Sequence, residues 1–130
     1  EYFFTLHGTW LLGAVTVGIY TTNAPDACHY VLFHSECVVC VCQGGKQAAK
    51  IYGIRDQLPN LKAIVVYWPE EGMPEADANS KVKLYKWDEF LATGASIPDD
   101  EILAEAAKVE PGSCATLIYT SGTTVGVIVR

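Results

Sequence analysis

Apolar and polar positions alternate between two periods along this chain, and that alternation predicts its elements. Residues 1–12 place Tyr2, Phe3, Leu6, Trp10 and Leu11 on one side of a helix, with Gly13 as a stop. Residues 14–20 are apolar and β-branched, which suits a buried strand. Pro25 and Asp26 then suit the first turn of a helix running to about Glu36, with Cys28, Val31, Leu32 and Ser35 inward. A second buried strand is predicted at 37–42, a turn at Gly44-Gly45, and a helix over 46–57 with Ala49, Ile51, Ile54 and Leu58 as core contacts. Pro59-Asn60 breaks that helix, and 62–67 reads as a third strand. Residues 68–80 lack periodicity and read as a solvated loop. A short strand around Val82 and Leu84, a helical turn over 87–91 and a helix over 98–108 follow. Residues 114–119 form a fourth strand that runs straight into Thr120-Ser121-Gly122-Thr123-Thr124.

Strand, helix, strand, helix, strand at this spacing is the pattern of right-handed parallel crossovers. The predicted fold class is α/β, a mainly parallel sheet with helices on both faces. The length of 130 residues suits one domain. The chain opens on Glu1 and closes within the apolar run 125–129, which predicts a fragment of a larger protein, cut at both ends.

Composition narrows the function classes. Half of the residues are hydrophobic and 18% are charged, which excludes a disordered tail. The net charge of −6, with no basic cluster free of nearby carboxylates, argues against nucleic acid as a partner. Residues 2–25 carry no charge and are long enough to span a bilayer. They also hold His7, Gly8, Gly13, Gly18 and Asn23, and the pattern changes midway from helix-like to strand-like, so a membrane span is not expected. An odd count of 5 cysteines without a secretory signal points to reduced thiols in the cytoplasm.

The informative chemistry follows the fourth strand. Thr120, Ser121, Thr123 and Thr124 bring four hydroxyls around Gly122. Backbone N–H groups and hydroxyls in such a loop can converge on phosphate oxygens, and the glycine lets the backbone approach closely. The loop lacks the spacing of the P-loop, and a polar surface turn would have the same composition.

Tyr119-Thr120-Ser121-Gly122-Thr123-Thr124 resembles the phosphate-binding signature of the AMP-forming adenylating enzymes. Gly18-Ile19-Tyr20-Thr21-Thr22-Asn23-Ala24-Pro25 is similar to a segment of the bubblegum-type branch of the long-chain fatty acyl-CoA synthetases. The stretches from Arg55 to Ala63 and from Trp87 to Phe90 are similar to that branch as well. The resemblance implies a partial AMP-binding N-terminal domain over 1–130. It implies a ligase that joins a fatty carboxylate to the α-phosphorus of ATP, releases pyrophosphate, and passes the acyl group from AMP to coenzyme A. ATP, Mg2+ and coenzyme A are the implied cofactors. Fatty acid, ATP and coenzyme A are the implied partners, with peripheral attachment to the endoplasmic reticulum or another membrane. Carried over residue by residue, phosphate contact falls on Thr120, Ser121, Gly122, Thr123 and Thr124. The family's loop continues Gly-x-Pro-Lys-Gly, where this chain has Val125-Gly126-Val127. The missing lysine weakens any phosphate grip. No catalytic side chain is assigned, and the chain alone is expected to be inactive. A non-catalytic nucleotide-binding or protein-interaction module is the alternative.

Three other groups could carry chemistry. His34, Cys37, Cys40 and Cys42 have a spacing that suggests zinc, but residues three apart on a strand point to opposite faces, so no metal site is assigned. His7 and His29 stand at helical positions with no nucleophile to place beside them. Glu70, Glu71, Glu75 and Asp77 could attract a cation but match no calcium-loop pattern.

Overall fold

The computed structural model describes residues 1–69 and 72–120 and the backbone of 128–129. The chain divides into two compact units, one made of 20–95 and the other of 1–19 with 96–130.

In the first unit, α2 (Pro25–His34) starts where Pro25 can sit in the first turn without losing a hydrogen bond. (Helix α1, Tyr2–Leu11, belongs to the other unit.) Cys28, Val31 and Leu32 lie one turn apart on one face and are all buried. Beyond α2, Glu36 takes a φ of 53°, and the chain enters β2 (Val39–Gln43). β2 leads without a separate turn into α3 (Gly44–Tyr52). A 3-10 turn (Arg55–Gln57) and Pro59-Asn60 follow, and then β3 (Ala63–Tyr67). β4 (Lys83–Lys86) runs directly into α4 (Trp87–Thr93), whose start is fixed by the Glu89 carboxylate accepting from the Lys86 N–H at 3.0 Å.

The sheet order is β2-β3-β4, parallel throughout, with Cys40 opposite Ile64 and Ile64 opposite Leu84. On the central strand Ile64, Val65 and Val66 have no exposed surface. Adjacent residues of a strand point to opposite faces, so both faces of this strand are covered. A continuous apolar run is what a strand covered on both sides requires, and Ala63–Tyr67 supplies it.

Two details correct the sequence reading. Gly44-Gly45 does not turn the chain ahead of a helix but forms the helix start itself. This sets the buried face to Gly45, Ala48, Ile51 and Tyr52, so Ala48 and not Ala49 enters the core. The helix also ends at Tyr52 and not near residue 57. The segment after it is less loose than its composition suggests. Tyr52 Oη accepts from the Asp77 N–H at 2.8 Å, and Arg55 lies 4.0 Å over the Tyr52 ring, 3.5 Å from the Asp77 carboxylate.

The second unit contains α1 (Tyr2–Leu11), β1 (Thr16–Val17), α5 (Asp99–Ala106), β5 (Thr116–Tyr119) and β6 (Ile128–Val129). The strand expected over 14–20 pairs at Thr16 and Val17 only. The order is β1-β5-β6, with β1 parallel and β6 antiparallel to β5. Three carboxylates, Asp99, Asp100 and Glu101, occupy the positive end of α5. No residue of α1 is buried, and Phe3 and Phe4 are 63% and 69% exposed. Leu11, Leu12, Leu103 and Ile118 are exposed too. No helix among the described residues is long and apolar enough to cross a membrane.

Open aromatic and aliphatic surface of this kind associates in water. The purified 130-residue chain is therefore expected to bind a hydrophobic dye such as ANS and to elute earlier from a sizing column as its concentration rises. A sharp monomer peak at all concentrations, without dye binding, would contradict this.

Candidate functional site

The hydroxyl-rich segment starts at the end of β5. Thr120 is exposed and stands immediately beyond the carboxyl end of a strand paired in parallel with β1. Carboxyl ends of parallel strands are where α/β proteins place ligands, because the following loop is free to present its backbone groups. Ser121, Gly122, Thr123 and Thr124 lie outside the described residues. Thr120 itself is open to solvent.

The base of β5 is polar and held tightly. Thr16, the buried polar residue among the described positions, donates from its N–H to the Ala115 carbonyl at 3.0 Å and from its hydroxyl at 3.2 Å. Trp10 Nε1 donates to the same carbonyl at 2.8 Å and to Thr16 Oγ1 at 3.1 Å. Thr116 Oγ1 donates back to the Thr16 carbonyl at 3.1 Å. Sequence reading placed Trp10 on an apolar helix side. The need of a half-buried indole N–H for a partner was the available signal, but the partner lies 105 positions away.

The other unit carries a groove of about 680 Å3 lined by Thr21, Gln43, Gly44, Gly45, Lys46, Gln47 and Trp68. Gly44 has a φ of 75°, a conformation that favours glycine. Gly45 is packed so closely that a Cβ there would lie 2.3 Å from the Met73 nitrogen. Gln43 gives α3 no side-chain cap. The first-turn N–H groups of a helix have no partner within it, so the groove is electrostatically suited to an anion. Trp68 closes β3 with a φ of 50°, unusual for a bulky residue. Lys50 is committed elsewhere, donating to the Thr21 and Asn23 carbonyls at 2.9 and 2.7 Å. Reading Gly44-Gly45 as a turn hid this groove. A Gly-Gly-Lys run after a strand was the signal for it.

The remaining candidates resolve into packing. The Cys37 thiol, pushed up to about 11 by burial, donates to the Val39 carbonyl at 3.3 Å. Cys40 and Cys42 share one face of β2. Hydrogen bonding between their side chains, with burial, raises Cys40 well above the ordinary thiol range, and the same pairing lowers Cys42. Burial raises Cys28. Among the described residues no group of three His, Cys, Asp or Glu side chains is placed to hold a metal. His7 stacks on Phe3 with 3.9 Å between ring centroids, and His29 stacks on Phe33. Asp77 is tied to Tyr52, Arg55 and the Asn79 N–H, while Glu70 and Glu71 lie outside the described residues.

Comparison with known families decides the affiliation. Residues 1–125 match the family model described as AMP-binding enzyme. The chain belongs to the AMP-binding enzyme family. Within that family it is 44% identical over 124 residues to the long-chain-fatty-acid–CoA ligase ACSBG2 of Xenopus laevis. It is 41% identical over 125 residues to the ligase of the same name from Gallus gallus. It is 37% identical over 124 residues to the long-chain-fatty-acid–CoA ligase ACSBG1 of Homo sapiens. Each match covers 95% of this chain and 16% of the relative. The matched region of this AMP-binding family chain includes both the groove residues and the hydroxyl-rich segment.

Proposed function

We propose that this chain forms part of a ligase that activates long-chain fatty acids with ATP and transfers them to coenzyme A. The observation that carries the reading is the family match running through β5 and on to residue 125, across Thr120, Ser121, Gly122, Thr123 and Thr124. The names of the relatives support the substrate class. In this reading Thr120 and the four residues after it hold the outer phosphates of ATP through hydroxyl and backbone donors. Donors fixed around the departing pyrophosphate stabilise charge as it develops, and they hold the α-phosphorus in line with the fatty carboxylate. Magnesium, when bound with ATP, would neutralise part of the phosphate charge. We further propose a cytoplasmic location with peripheral contact to a membrane.

The test is product release. A longer chain containing this segment, given ATP, magnesium and palmitate, should release pyrophosphate, and addition of coenzyme A should yield AMP and acyl-CoA. The 130-residue chain by itself should release no AMP above background. A longer chain that binds ATP yet never turns over would contradict the proposal. It would favour a non-catalytic nucleotide-binding module, a reading supported by Val125-Gly126-Val127 standing where the resemblance implies Gly-x-Pro-Lys-Gly.

A further inference from the structure

We propose that Trp10 and Thr16 form a register clamp that positions Thr120 for phosphate contact, an inference that rests on the ligase reading above. Among the described residues Thr16↔Thr116 and Val17↔Leu117 pair on one side of β5, and Ile118↔Val129 and Tyr119↔Ile128 on the other. Two pairs on a side specify a register weakly. Burial supplies only part of the specification: Leu117 and Tyr119 are half-buried, while Ile118 is 56% exposed. A slip of one residue would move the strand end by about 3.3 Å and turn every side chain to the opposite face. Thr120 follows Tyr119, the last residue of β5, so any slip reaches it in full.

The bonds at the base of β5 oppose that slip. Three donors, Thr16 N–H, Thr16 Oγ1 and Trp10 Nε1, converge on the single carbonyl of Ala115. Thr116 Oγ1 closes the set on the Thr16 carbonyl from the other strand. A one-residue slip would offer this set a different carbonyl, from a residue facing the other way, and the bonds would be lost together. Trp10 sits on α1, so the clamp ties the helix, β1 and β5 to one point five residues ahead of Thr120. Trp10 and Thr16 are positioning residues here; neither is placed against the phosphates.

The experiment compares the 130-residue chain with W10F, T16V and T16S. W10F keeps a ring and drops the N–H, T16V keeps the shape and drops the hydroxyl, and T16S restores the hydroxyl. Two readouts are taken by NMR: exchange of the amides at 117–119, and titration with MgATP followed at the Thr120 amide. Loss of one hydrogen bond should speed exchange in W10F and T16V about three- to tenfold and raise the MgATP dissociation constant by a similar factor. T16S should behave as the unmodified chain in both. If T16V does not fold, W10F set against the unmodified chain and T16S decides the matter. Unchanged exchange in W10F would overturn the clamp. Faster exchange with an unchanged dissociation constant would overturn its positioning role and leave a purely structural contact. If the unmodified chain shows no response to MgATP at any concentration, the phosphate reading of the loop fails, and the exchange rates still judge the clamp.

Discussion

Replacing Gly45 by alanine should destabilise the 20–95 unit by about 3 kcal/mol, at the upper end of what overpacking costs. The added Cβ would lie 2.3 Å from the Met73 nitrogen and 2.6 Å from the Gly72 carbonyl carbon. Both are backbone atoms, so no flexible side chain can swing away. Either α3 must withdraw from β2 and β3, losing the contacts of Ala48 and Ile51, or the segment at 72–73 must shift. Gly8 provides the control. It lies inside α1 with nothing within 4 Å of an added Cβ. There alanine relieves the entropy cost of a helical glycine and should stabilise by about 0.5–1 kcal/mol. Urea unfolding of the two variants, followed by circular dichroism and intrinsic fluorescence, checks both signs. Equal effects at the two positions would contradict the packing described for α3.

The second large effect is expected on β3. Ile64→Ala should cost about 2–5 kcal/mol, because the removed carbons leave a cavity inside a closely packed layer. Ile64 has no exposed surface and pairs with Cys40 on one side and Leu84 on the other. Ile118→Ala is the same chemical change at a position 56% exposed, and should fall within about 0.5 kcal/mol of zero. The contrast separates a covered strand from an open one. Similar losses at both positions would show that β5 is buried in solution.

These particulars also show how far the chain could be read before its structure. α2 was legible because every local signal agreed: Pro25 and Asp26 at its start, and Cys28, Val31 and Leu32 on one face. β3 was legible because a continuous β-branched run has few alternatives to a buried parallel strand. Ile51 and Leu58 were read correctly as core contacts, but Ala49 was taken in place of Ala48, because a glycine pair signals a turn at least as strongly as a helix start. The short extent of β1 was not legible. Val15, Thr16, Val17 and Ile19 are all good strand formers, and pairing length depends on a partner some 100 positions away. The Trp10 contact escaped for the same reason. For the site, Thr120, Ser121, Gly122, Thr123 and Thr124 were singled out by composition and assigned by resemblance. The structure describes Thr120 alone of these, at the end of β5. The groove beside α3 depends on a close backbone approach that no periodicity reveals.

If the segment after β5 grips ATP phosphates as proposed, the want of the loop lysine leaves that grip weak. Titration of the chain with MgATP, before and after inserting Gly-Ser-Pro-Lys behind Thr124, measures it. The unmodified chain should bind with a dissociation constant of about 1 mM or weaker, roughly −4 kcal/mol. The insertion should tighten this at least about tenfold, as a charge-assisted hydrogen bond would. Micromolar binding by the unmodified chain, or no change on insertion, would contradict the account.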